Sequence, residues 1–170
     1  RRTFLSAIPL AILTAPLEVE AQQAAKTARI GFLLATSLEA SSHLREAFLQ
    51  GLRELGYTDG RNVMIEYRDA EGKLERLSAL AAELVALKVD VIVVAGTLQT
   101  RAAKQATTTL PIVFTSVGDP VASGLVTSLA RPGGNITGLS SLSNELSTKR
   151  LEILQDTVPK LTRVAYLRTP

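Results

Sequence analysis

The sequence predicts an α/β fold, a doubly wound parallel sheet in the flavodoxin-like strand order 2-1-3-4-5, and three observations predict it. Short apolar runs alternate with helical periods from Ala28 onward. One of those runs, Val89 to Ala95, is apolar almost throughout, as a strand buried on both faces must be. Asn62 to Arg68 alternates instead, with Val63, Ile65 and Tyr67 on one side and Met64, Glu66 and Arg68 on the other. A half-polar strand belongs at a sheet edge, which is where this order places strand 2.

The elements follow in order. Ile30 to Ala35 reads as the first strand, ended by Thr36-Ser37. Leu44, Phe48, Leu52 and Leu55 recur at helical spacing, and Gly56 stands where a left-handed C-cap belongs. After the alternating edge strand, Leu74, Leu77, Leu80, Leu84 and Leu87 mark an amphipathic helix leading into the central strand. A helix from about Leu98 to Ala106, a strand from Pro111 to Val117, a Gly118-Asp119-Pro120 turn and a short helix from Pro120 to Leu129 come next. Connections this short, alternating β with α, imply parallel strands and right-handed crossovers. Arg131 to Gly134 is a loop by its proline and glycines, Asn135 to Leu139 a further strand, and Leu151, Leu154 and Val158 share one helix face. Thr162 to Leu167 begins yet another strand just before Pro170, so the sequence reads as a fragment, truncated before most of a second unit.

Composition narrows the function. The 170 residues are 46% hydrophobic with a formal charge of +3, and the 19 basic residues are scattered rather than striped, which argues against a nucleic-acid partner. Cysteine is absent, which removes disulfides, thiolate metal sites and a cysteine nucleophile. Residues 1–21 read as an export signal: Arg1 and Arg2, an apolar stretch from Phe4 to Leu17, then Val19-Glu20-Ala21, with cleavage after Ala21 and a periplasmic product. The stretch falls short of the roughly 20 residues of a membrane span, and Pro9 and Pro16 interrupt it, so the protein is not expected to cross the membrane itself. Arg1 and Arg2 ahead of Phe4-Leu5 also resemble a twin-arginine signal, and both the general secretory and the twin-arginine routes fit.

In open parallel sheets ligands bind beyond the carboxyl ends of the strands, where helix N-termini present free N–H groups. The residues there are Thr36 and Ser37, Gly96 and Thr97, and Ser116, Gly118 and Asp119. No lysine follows Gly118 or Gly124 as a phosphate-binding loop requires, and the segment after the first strand lacks G-x-G-x-x-G. The single histidine, His43, opens a helix in a polar patch with no nucleophile elbow to serve. No paired carboxylates stand ready for acid–base work, so no enzymatic activity and no cofactor or metal are expected. Small hydroxyls, glycines and one acid instead suit a small polar or zwitterionic ligand. Each of Ser37, Thr97 and Asp119 also fits a plain helix N-cap, Asp119 with Pro120 at the first helical position.

Four segments carry a resemblance to a known family: GLRELGYTDGRNVMIEYRDAEG, LAAELVALKVDVIVVAGT, the run from Ala102 to Ser140 that contains VGDPV and ARPGGNITG, and ELSTKRLEILQDTVPKLTRVAYL. They resemble the ABC transporter substrate-binding proteins related to tryptophan and tyrosine receptors. The resemblance implies a type I periplasmic binding-protein fold, two α/β lobes with ligand between them, and delivery of that ligand, for which the relatives suggest an amino acid, to the membrane permease of an ABC importer. It also implies a division into a lobe over 28–134, a crossover strand and helix over 135–161 with Gly138 giving close backbone passage, and the start of a second lobe over 162–170. An extracytoplasmic ligand-sensing module of a signalling system is the alternative that the same fold and signal would serve.

Overall fold

A computed structural model describes residues 27–141, 146–158 and 160–165. The export signal expected over 1–21 lies outside the described residues. Five strands, β1 (Ala28–Leu34), β2 (Val63–Asp69), β3 (Val91–Ala95), β4 (Ile112–Val117) and β5 (Ile136–Ser140), form one sheet in the order β2-β1-β3-β4-β5, all parallel. The alternating strand is at the edge, as its polarity requires. Register runs in rows across the sheet, Ile30 opposite Val91, then Ile92 opposite Ile112 and Ile112 opposite Ile136.

Two faces sort the side chains by parity. On one face α2 (Leu77–Ala86), entered through a 3-10 turn at Leu74–Arg76, and α3 (Thr97–Ala106) pack against Leu33, Ile92, Val94, Ile112 and Phe114. Leu77, Leu80, Ala81 and Leu84 supply the buried stripe of α2 at i, i+3, i+4 and i+7. Gly31 lets that helix come close, since a Cβ there would meet Leu84 Cδ2 at 3.0 Å and Val89 Cγ2 at 3.2 Å. On the other face α1 (Ser42–Glu54) lays Phe48 and Leu52 against Ile30, Phe32, Val63 and Ile65, with Phe32 and Phe48 edge to face at 5.1 Å.

Gly56 ends α1 as anticipated. Its φ is +83°, its N–H donates to Arg53 O at 2.9 Å, and the Tyr57 N–H donates to Leu52 O at 2.8 Å, the two bonds of a Schellman cap. α2 also ends on a left-handed residue, without a glycine: Lys88 takes φ +53° with its N–H on Val85 O at 3.0 Å.

The N-terminal ends of the strands are locked by charge. Arg29 and Asp90 exchange bonds, the Arg29 N–H donating to Asp90 Oδ2 at 2.8 Å and the Asp90 N–H to Arg29 O at 2.7 Å. The Arg29 guanidinium reaches Leu87 O at 2.9 Å and Glu66 Oε1 at 2.8 Å, so one side chain ties β1 to β2 and to the end of α2.

Two expected elements are not formed. Pro120 to Leu129 is a chain of turns rather than a helix. Gly124 sits mid-segment at φ +66°, and the Leu125 and Val126 N–H groups both return to Pro120 O in place of a helical i→i−4 ladder, while Leu125 and Val126 are buried. Thr162 to Val164 and the neighbouring Ala165 form no strand, and the rest of the expected strand lies outside the described residues. α4 (Leu146–Thr157) carries Leu151 and Leu154 as expected, stops one residue short of Val158, and buries no residue. Among the described residues no helix is long and apolar enough to cross a membrane.

Candidate functional site

The C-terminal ends of β1, β3 and β4 are neighbours, with Leu33 opposite Val94 and Ala95 opposite Thr115. Strands spaced at about 4.8 Å therefore bring Thr36-Ser37, Gly96-Thr97 and Ser116 to Asp119 into one row about 10 Å across. Gly96 and Ser116 also line one groove of about 650 Å³ between the α1 face of the sheet, with Ile30, Phe32, Val93 and Val113, and Leu44, Phe48 and Leu52 of α1. Thr36, Ser37, Thr97, Gly118 and Asp119 do not line that groove.

Each stretch of the row is built differently. After β1, Ser37 does not begin a helix, contrary to expectation; α1 starts only at Ser42. Between them the chain makes a turn in which the Ser41 N–H donates to Ser37 O at 3.1 Å and the Ala40 N–H to Ser37 Oγ at 3.2 Å. Thr36 Oγ1 and Ser41 Oγ bond at 2.6 Å, so Thr36 is held by a hydroxyl partner.

After β3, Gly96 and not Thr97 is the N-cap of α3, and no side chain caps that helix. Gly96 adopts φ +95° and ψ 166°, a region essentially closed to residues with a Cβ. Its N–H donates to Thr115 O at 2.9 Å, fastening the end of β3 to β4, and its carbonyl accepts the Thr100 hydroxyl at 2.6 Å. The first N–H groups of α3 thus point past the sheet edge, where an anionic or carbonyl oxygen would complement them.

After β4, Asp119 caps a turn instead of the expected helix: Ala122 N–H donates to its Oδ1 at 2.8 Å and Ser123 N–H to its carbonyl at 3.0 Å. Sequence reasoning missed Lys104. From α3 its ammonium donates to Gly124 O at 2.7 Å and Leu125 O at 3.0 Å, joining the helix that carries Gly96 to the turn that carries Asp119. No local pattern marks a lysine that satisfies carbonyls twenty residues away.

Tyr67 lies on the α1 face of the edge strand, away from this row. Burial raises its pKa above the usual phenol value, the Asp59 carboxylate adds to the rise, and the Arg45 guanidinium opposes it. Among the described residues no three metal-ligating side chains come together. The row therefore offers helix N–H donors, hydroxyls at Ser37, Thr97 and Ser116 and one carboxylate, a set matched to hydrogen-bonding a small ligand with both an acceptor and a donor end.

Comparisons with known proteins bear on the family and the fold. Residues 29–170 match the family described as ABC transporter substrate binding protein. A tyrosine-binding protein of Clostridioides difficile strain R20291 is 34% identical over 123 residues, 72% of this chain and 35% of that protein. A crystal structure of a conserved domain protein from Vibrio cholerae superimposes with a TM-score of 0.72 at 36% identity, covering 79% of this chain and 45% of its own. An ABC domain in complex with L-Trp from Streptococcus pneumonia superimposes with a TM-score of 0.62 at 32% identity, covering 67% and 38%. This chain thus spans about a third of the curated relative and under half of the solved ones.

Proposed function

The chain belongs to the ABC transporter substrate-binding protein family, and we propose that its sheet is one wall of a non-enzymatic receptor that captures an L-amino acid outside the cytoplasm and hands it to the membrane permease of an ABC importer. The observation that carries this is the row at the C-terminal strand ends, where the uncapped α3 N-terminus at Gly96 stands beside Ser116 and the Asp119 turn. A ligand carboxylate faces the α3 N–H groups and its ammonium the Asp119 carboxylate, with Thr36, Ser37, Thr97 and Gly118 along the row. The tyrosine-binding relative and the L-Trp complex favour an aromatic amino acid. Residues 28–134 are the lobe, 135–161 the crossover toward a hinge and 162–170 the entry to a second lobe that closes the cleft. An export signal over 1–21, supported by its basic start, short apolar stretch and Val19-Glu20-Ala21, would leave Gln22 as the mature N-terminus in mass spectrometry.

Calorimetry of the full-length protein with L-tryptophan and L-tyrosine tests the reading. Asp119→Asn should weaken binding at least fivefold, about 1 kcal/mol, and leave Tm nearly unchanged, because asparagine caps a turn about as well as aspartate. Unchanged affinity would confine Asp119 to capping, and a receptor that takes up no amino acid would refute the ligand class.

A further inference from the structure

Three described residues other than glycine have positive φ: Glu71 at +53°, Lys88 at +53° and Ser116 at +54°. Glu71 precedes Gly72 in the turn after β2, and Lys88 follows the last turn of α2, both places where a left-handed residue is ordinary. Ser116 is inside β4, where extended backbone is the rule.

Register shows what the left-handed residue does. β4 advances from Phe114 to Val117 while β5 advances only from Gly138 to Ser140, so β4 carries one extra residue, a β-bulge. Ile112 and Phe114 point into the α2/α3 core, and strict alternation would send Ser116 there and turn Val117 outward. With the bulge, Val117 is fully buried among the core residues and Ser116 is exposed, lining the groove beside Gly96. Val117 O accepts the Ser141 N–H at 2.8 Å beyond the bulge, which pins the strand end from which Gly118-Asp119 departs.

Packing gains nothing from a serine here, because glycine would adopt the same backbone without a Cβ penalty and would leave Val117 where it is. We propose that Ser116 is a positioning residue for the ligand wall: its bulge restricts the direction in which the Gly118-Asp119 turn leaves the sheet and holds its own hydroxyl at the cleft beside Gly96. This deepens the receptor reading and rests on it for the ligand, an L-amino acid, while the backbone part stands independently.

The test uses the full-length protein and two variants. Ser116→Gly should raise Tm by about 2 °C through relief of the left-handed strain, yet weaken L-tryptophan or L-tyrosine binding at least fivefold. Ser116→Ala keeps the strain and removes the hydroxyl, so Tm should hold while affinity falls about threefold. In the ligand-free protein, hydrogen exchange at the Ala122 and Ser123 amides should quicken in Ser116→Gly and not in Ser116→Ala. If both variants bind within twofold of the wild type, or if exchange at Ala122 and Ser123 is the same in all three proteins, Ser116 has no positioning role. The exchange arm decides the backbone claim even if the wild type binds neither amino acid, an outcome that would sink the aromatic amino-acid ligand on its own.

Discussion

Lys88 and Ser116 carry almost the same backbone strain at opposite ends of one sheet, φ +53° and +54°. Lys88 stands at the N-terminal end of β3, where it finishes a helix, and the neighbouring Arg29, Glu66 and Asp90 are spent on one another across three elements. Ser116 stands at the C-terminal edge, where no helix ends and the strand alone would not ask for it. The same contrast holds for the polar groups. At one end the Arg29 guanidinium bonds to Leu87 O and Glu66 on other elements; at the other, Thr36 and Asp119 bond only locally and the α3 N-terminus lacks a side-chain cap. On the function proposed above, the N-terminal end of the sheet serves the fold and the C-terminal edge takes the ligand.

Two substitutions at the stable end sharpen that contrast. The larger effect is expected from Arg29→Met, which keeps the stem and removes the bonds to Leu87 O and Glu66. It should lower unfolding free energy by about 1–2 kcal/mol in urea titration, a modest figure because the ion pair is partly exposed, with amino-acid affinity within twofold of wild type. The smaller effect is from Lys88→Gly, which should raise stability by about 0.5–1 kcal/mol and leave affinity untouched. Set beside Ser116→Gly, it isolates location as the variable: the same relief of strain is harmless at one end and costs binding at the other. A loss of affinity in Lys88→Gly would break the comparison.

Much of the fold was legible because it is written in local periodicity. Met64, Glu66 and Arg68 opposite Val63, Ile65 and Tyr67 identify an edge strand wherever the rest of the chain goes, and Leu77, Leu80 and Leu84 identify a helix face. The candidate row was legible for the same reason, since strand ends follow from strands. The failures share a different cause. Val121, Leu125 and Leu129 mimic a helical period, but Gly124 breaks it and Lys104, from another element, takes the carbonyls of Gly124 and Leu125 that a helix would have kept. Ser37 looked like a helix start because small hydroxyls favour caps, and it caps a turn instead, five residues before the helix. The bulge at Ser116 depends on which of two neighbours fills the core against Phe114 and Ile112, a choice made by packing across the sheet and not by the order of residues along β4.

Hydrogen exchange of the full-length protein with and without a bound L-amino acid tests the central claim most directly, because it reads both ends of the sheet in one experiment. Ligand should slow exchange at least tenfold at the amides of Thr97 and Leu98 and in the turn from Gly118 to Ser123, while the amides of Arg29, Lys88 and Asp90 change by less than twofold. Protection at the Arg29–Asp90 end, or saturating ligand with no protection at the α3 N-terminus, would place recognition elsewhere and contradict the account.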